Sequence, residues 1–154
     1  MTHKLAAIKV ERRSVATAVF VGDRLDYVQR RQLSSAPSKA EASAVGFVNW
    51  TVNTFEIHSV ALEAVTNGDV RRVQLTESIL KMLRENGVPI WKLSKQDMFA
   101  AYGIPPLRTR RELWKVILSI WPILDRGEQG NDGILDAAAL GLLVATERLL
   151  LTET

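Results

Sequence analysis

The sequence contains no cysteine and only two histidines among its 154 residues. Disulfides and thiolate-bound metals are therefore excluded, and a reducing compartment fits without being required. The histidines, His3 near the start and His58 further on, belong to no cluster with metal-ligand spacing, so neither is assigned chemistry. Low-complexity tracts are lacking too. A content of 47% hydrophobic and 24% charged residues is ordinary for a globular chain that folds by itself. Long uncharged apolar runs are also missing. The longest apolar stretch, GILDAAALGLLVATERLLL, carries Asp136, Glu147 and Arg148 and reads as a buried helix rather than a membrane span. Met1 to Lys4 leads into no apolar run of the secretory type. The expectation is a cytoplasmic protein with no membrane partner, forming a single domain over residues 1–154, a length too short for two ordinary domains.

Charge of one sign is in modest excess: the formal net charge is +3. The basic residues cluster as RRS, QRRQ, VRRV and LRTRRELWK. Paired basic residues of this kind are usually solvated surface. The run Arg108, Arg110, Arg111, Lys115 is dense enough to stand apart.

Along the chain, residues 4–10 and 15–21 are rich in Ala, Val and Ile, and Gly22-Asp23 signals a turn before RLDYVQRRQLS. These segments predict an antiparallel meander of strands. APSKAEASAVGFVNWTVNTF predicts a helix with Ser38 as N-cap and Glu41 completing a capping box. EIHSVALEAV, closed by TNGD, reads as a central strand covered on both faces. VRRVQLTESILKMLRENG places Leu75, Ile79, Met82 and Leu83 on one helical stripe, and Gly87 suits the helix end. VPIWKL is a short strand, SKQDMFAAYG a short helix capped by Ser94, and RTRRELWKVILSIWPIL a helix broken by Pro122. In that last helix Leu113, Val116, Ile117, Ile120 and Trp121 form the expected apolar stripe. After the loop RGEQGNDG comes a final helix in which Leu135, Ala138, Ala139, Leu142 and Leu149 share a face, with small residues that let it lie close to a sheet. Trp50, Trp91, Trp114 and Trp121 each fall in or beside an apolar periodic segment and read as core or interface residues.

The resulting order, β-β-β-α-β-α-β followed by helices, is that of the ribonuclease H-like superfamily, an α/β class with a five-stranded mixed sheet flanked by helices. More narrowly, the chain resembles RuvC-type Holliday-junction resolvases over nearly its full length. The likeness rests on LAAIKVERRSVATAVF, SVALEAV, LSKQDMFAAYGIPPLRTRRELWKVI and NDGILDAAALGLLVAT in that order. In such nucleases, acids from the first strand, the fourth strand and the last helix hold Mg²⁺ or Mn²⁺, which activates water at a phosphodiester. The resemblance implies Glu63 as the fourth-strand acid and Asp136 as the last-helix acid. Where the family has a second helix acid this chain has Gly133, and Asp132 can substitute. Asp132 reads equally well as an N-cap. The departure is in the first strand, where the family aspartate aligns with Lys9. Glu11 would share the face of Lys9 if the strand continues, and is a candidate displaced ligand.

Three functions follow. The leading one is a nucleic-acid-associated relative of the resolvases with weakened or lost nuclease chemistry, in which Lys95, Arg108, Arg110, Arg111 and Lys115 contact phosphates of branched DNA or structured RNA. The second is an active metal-dependent nuclease using Glu63, Asp132, Asp136 and Glu11, with Mg²⁺ or Mn²⁺ as cofactor. The third is an interaction protein that keeps only the fold. A homodimer is compatible with all three. Under the first, Lys9 is expected beside Glu63 and Asp136 as an internal replacement for the metal.

Overall fold

A computed structural model of the chain describes residues 2–65, 69–125 and 132–149, the side chains of Asp132, Arg148 and Leu149 excepted. Strands β1 (Lys4–Val10), β2 (Ser14–Val21) and β3 (Arg24–Gln32) form the expected meander. Gly22, at φ 62°, makes the second turn, a conformation that favours glycine. Helix α1 (Pro37–Thr54) leads to β4 (Ser59–Glu63), α2 (Val70–Glu85) and β5 (Ile90–Leu93). The sheet order is β3-β2-β1-β4-β5, with β1, β4 and β5 parallel and the rest antiparallel. Because β1 and β4 are central, their residues are covered on both faces, which is why they read as apolar runs interrupted chiefly by Lys9 and Glu63 at their C-terminal ends.

Alternation along β1 sorts the two cores. Ala6, Ile8 and Val10 face α1 and α2, whereas Leu5 and Ala7 face the later helices α3 (Lys95–Ala101), α4 (Arg110–Ile120) and α5 (Asp132–Leu143). Lys9 continues the second set. The small residues of α5 do what their size allows: a Cβ on Gly141 would overlap the Phe20 ring and come within 3.0 Å of the Ala7 Cβ. The helix can therefore lie directly on β1 and β2. Among the described residues no helix is long and apolar enough to cross a membrane.

Several local expectations need correction. Helix α1 starts two residues early, with Ala36 as N-cap and no side-chain cap bond, so Ser38 and Glu41 form no capping box. Pro37 sits at the first helical position, where its fixed φ suits the helix and its missing N–H is one that has no intrahelical partner, so it sets the boundary. Strand β4 is shorter than its apolar run because Glu56 takes a positive φ of 52° and turns the chain before Ser59. Of the TNGD signal, residues 66–68 lie outside the described residues, while Asp69 caps α2 by accepting the Arg71 N–H at 3.0 Å. Helix α3 does carry a capping box, formed by Ser94 and Asp97. In α4 only Leu113 and Ile117 are buried, and Ile120 is 45% exposed, so its stripe is narrower than the spacing suggests. Leu149, expected on the shared face of the last helix, has its side chain outside the described residues.

Candidate functional site

Lys9 and Glu63 stand at the C-terminal ends of adjacent parallel strands, each on the face that α5 covers. Ile8 pairs with Leu62, so the next residue of each strand emerges at the same height. Sheet ends of this kind are where open α/β folds place their ligands. The Lys9 Nζ donates to Glu63 Oε2 at 2.7 Å and lies 3.9 Å from Asp136 Oδ2 of α5. All three residues are buried: Lys9 and Glu63 are 7% exposed and Asp136 is 3% exposed.

Two arginines complete the cluster. Arg72, in the first turn of α2, donates from Nη2 to Glu63 Oε2 at 2.5 Å and from Nε to the Val10 carbonyl at 2.6 Å. Arg110, which opens α4, donates from Nε to Asp136 Oδ2 at 2.6 Å, and its Nη2 reaches both Asp136 and Glu11. The guanidinium also lies 5.0 Å over the Trp114 ring, whose Nε1–H donates to Asp136 Oδ1 at 3.1 Å. Three carboxylates (Glu11, Glu63, Asp136) thus meet three cations (Lys9, Arg72, Arg110) around a pocket of about 100 Å³.

The electrostatics follow from this pairing. Burial pushes the Glu63 carboxyl up, but Lys9 and Arg72 outweigh it and hold the group below its ordinary range. Burial also pushes Asp136 up, and Arg110, Lys9 and Trp114 offset only part of that, leaving it above its ordinary value. Burial alone would loosen the Arg110 proton. Asp136 and Glu11 reverse the effect and hold it more firmly than usual.

The site brings together Lys9, Glu11, Glu63 and Asp136. Glu11 does so differently from expectation: β1 ends at Val10, and Glu11 opens the following turn, its N–H bonded to the Ser14 carbonyl at 2.8 Å. Its side chain reaches the cluster from that turn. Asp132 is the first residue of α5, and its side chain lies outside those described. Lys95, Arg108, Arg111 and Lys115 are exposed; of the four, Lys95 lines the pocket and lies 5.4 Å over the Phe99 ring. Arg110 departs from the expected phosphate role, because its guanidinium is turned inward onto two carboxylates. Sequence reasoning missed Arg72 and the Trp114 indole. The VRRV pair held the signal for Arg72, but nothing local distinguishes a surface arginine from one that reaches across a sheet end.

The donor set does not suit a divalent metal. An ion between Glu63 and Asp136 would face the Lys9 ammonium and two guanidinium groups, and each of the three carboxylates already has a cation. Among the described residues no group of three or more His, Cys, Asp or Glu is arranged to hold a metal ion.

The strand order, the helices on both faces and the position of this cluster define a ribonuclease H-like α/β fold of the RuvC kind. The chain is similar to the Thermus thermophilus RuvC structure, with a TM-score of 0.76 and 16% identity over 97% of this chain and 97% of that one. It is also similar to the fowlpox virus resolvase in complex with substrate Holliday junction DNA (TM-score 0.67, 14% identity, 96% and 99% covered). The yeast mitochondrial Holliday junction resolvase matches with a TM-score of 0.66 and 15% identity, 93% of this chain covering 80% of that one. No family model matches the sequence, and no curated protein does.

Proposed function

We propose that this chain is a nucleic-acid-binding relative of the Holliday junction resolvases, in which Lys9 takes the place of the first-strand aspartate and metal-dependent hydrolysis has been lost. The observation that carries the reading is the Lys9 ammonium, 2.7 Å from Glu63 and 3.9 Å from Asp136. Its fixed charge, with those of Arg72 and Arg110, neutralises carboxylates that would otherwise repel one another. A set of acids that is already neutralised has no remaining charge with which to recruit a divalent ion.

Binding is supported by a different set of residues. Lys95, Arg108, Arg111 and Lys115 are exposed, and none forms an ion pair among the described residues. They are available to phosphates. Branched DNA is the ligand of choice because two of the similar structures, the Thermus thermophilus RuvC complex and the fowlpox virus resolvase complex, contain Holliday junction substrate.

The test is a fluorescence-anisotropy titration of a labelled four-way DNA junction at several salt concentrations. With four phosphate contacts, the log–log dependence of affinity on salt should have a slope of about −3.6. Reversing charge at Arg108 and Arg111 together should weaken binding at least roughly tenfold and flatten the slope by about 2. Arg110 is left out of this variant because it holds Asp136 and Glu11. Binding that is absent at low salt, or indifferent to the reversal, contradicts the reading and leaves a scaffold role on the same fold.

A further inference from the structure

A second groove lies away from the carboxylate cluster, on the other face of the sheet. It runs between the edge strand β3 and helix α1, has a volume of about 420 Å³, and is lined by Gln29 and Arg31 on one side and Ala42, Ser43, Gly46 and Trp50 on the other. Trp50 is 47% exposed, so of the core and interface readings its sequence context suggests the core one does not hold. Phe55 stands edge-on to its ring at 6.0 Å and Tyr27 lies 4.7 Å beyond Phe55, so the indole is braced from one side. The Tyr27 hydroxyl donates to the Gln29 amide oxygen, which leaves the Gln29 NH₂ as a donor. No carboxylate among the described residues lines the groove, whereas Arg31 does, and Lys39 lies one helical turn before Ser43.

Gly46 is the informative residue. Glycine weakens a helix interior relative to alanine, and here it sits in the middle of an 18-residue helix. Packing does not demand it: a Cβ at Gly46 would meet nothing within 4 Å. Its missing side chain has one structural effect, which is to keep the groove open. A local rule broken without a packing gain points to function.

We propose that this groove binds a single-stranded nucleic-acid segment, with a base stacked on Trp50 and the adjoining phosphate at Arg31. Exposed aromatic faces beside cations, with no acid, are the elements that bind single strands without base reading. The proposal rests on the nucleic-acid reading above and adds a second contact surface to it.

The experiment measures anisotropy of a labelled oligothymidylate and of the four-way junction with wild-type chain, Gly46→Leu, Trp50→Ala and Arg31→Glu, each first shown to be folded by circular dichroism and melting. Gly46→Leu fills the groove while leaving every charge in place. It and Trp50→Ala should each weaken oligothymidylate binding roughly tenfold, the size expected for one lost stacking contact. Wild-type tryptophan fluorescence should be quenched on binding, and that quench should be lost in Trp50→Ala. The groove proposal is overturned if oligothymidylate is not bound, or is bound equally by wild type and Gly46→Leu. If the junction still binds through Arg108 and Arg111 in that case, only the groove fails; if neither DNA binds, both readings fail. A Gly46→Leu effect on sedimentation in place of oligothymidylate affinity would assign the groove to a second copy of the chain and also overturn the proposal.

Discussion

Lys9 is a charged residue placed where the chain can least easily hydrate it, and its partners make that tolerable. Removing one member of a buried ion pair leaves the other unpaired, which costs more than the intact pair contributes over an apolar substitute. In Lys9→Ala, Glu63 keeps Arg72 and Asp136 keeps Arg110, so the variant should destabilise the fold by less than a wholly unpaired buried charge would, about 1–3 kcal/mol at neutral pH, read from urea unfolding. The pH dependence has a definite sign. Glu63 is held below its reference value of 4.5 in the folded state, so its contribution is fully present above that value and is lost as pH falls through the lower folded one. The gap between wild type and Lys9→Ala should narrow in acid below about 4.5. A gap that is constant with pH, or that widens in acid, would mean the ammonium does not act through Glu63. At this scale the sequence was partly legible: parallel pairing of the first and fourth strands places Lys9 beside Glu63. Arg72 was not, because its contacts with Val10 and Glu63 join residues on different elements, 62 and 9 positions apart.

Helices α1 and α5 each carry a glycine well inside the helix, and the two should respond to substitution in opposite ways. At Gly46 a Cβ has open space, so Gly46→Ala should stabilise the fold by about 0.5–1 kcal/mol through the lower entropy of the unfolded chain. At Gly141 a Cβ overlaps the Phe20 ring, so Gly141→Ala should destabilise by about 1–3 kcal/mol unless α5 moves off the sheet. Thermal melting of the two variants side by side checks this. Equal shifts would show that α5 does not pack on β1 and β2 as closely as described. The seam of α5 was legible from its small residues, whereas the reason for Gly46 was not. A glycine that serves packing and one that serves an opening look alike until the neighbouring strand is in place. The early start of α1 was hidden in the same manner, since Ser38 and Glu41 match a capping box in spacing while Pro37 sets the boundary.

For the whole molecule, the element order was readable because each segment's period matched its state: largely apolar runs in the central strands, helical stripes between them, and turn residues at most joins. The fold then carries Lys9, Glu63 and Asp136 to one sheet end by topology. What the order of elements could not convey is the balance of charge at that point, which depends on Arg72 from α2 and Arg110 from α4 turning inward. Arg110 shows the difficulty well, because a basic residue at a helix start reads as an electrostatic footprint until a buried carboxylate claims it. Internal cations are proposed to occupy the role a divalent metal would have. The most direct test is the melting temperature of the wild-type chain with and without excess Mn²⁺, because a ligand that binds only the folded state must raise that temperature. No shift is expected. A rise that grows with Mn²⁺ concentration and is abolished by Glu63→Gln or Asp136→Asn would contradict it.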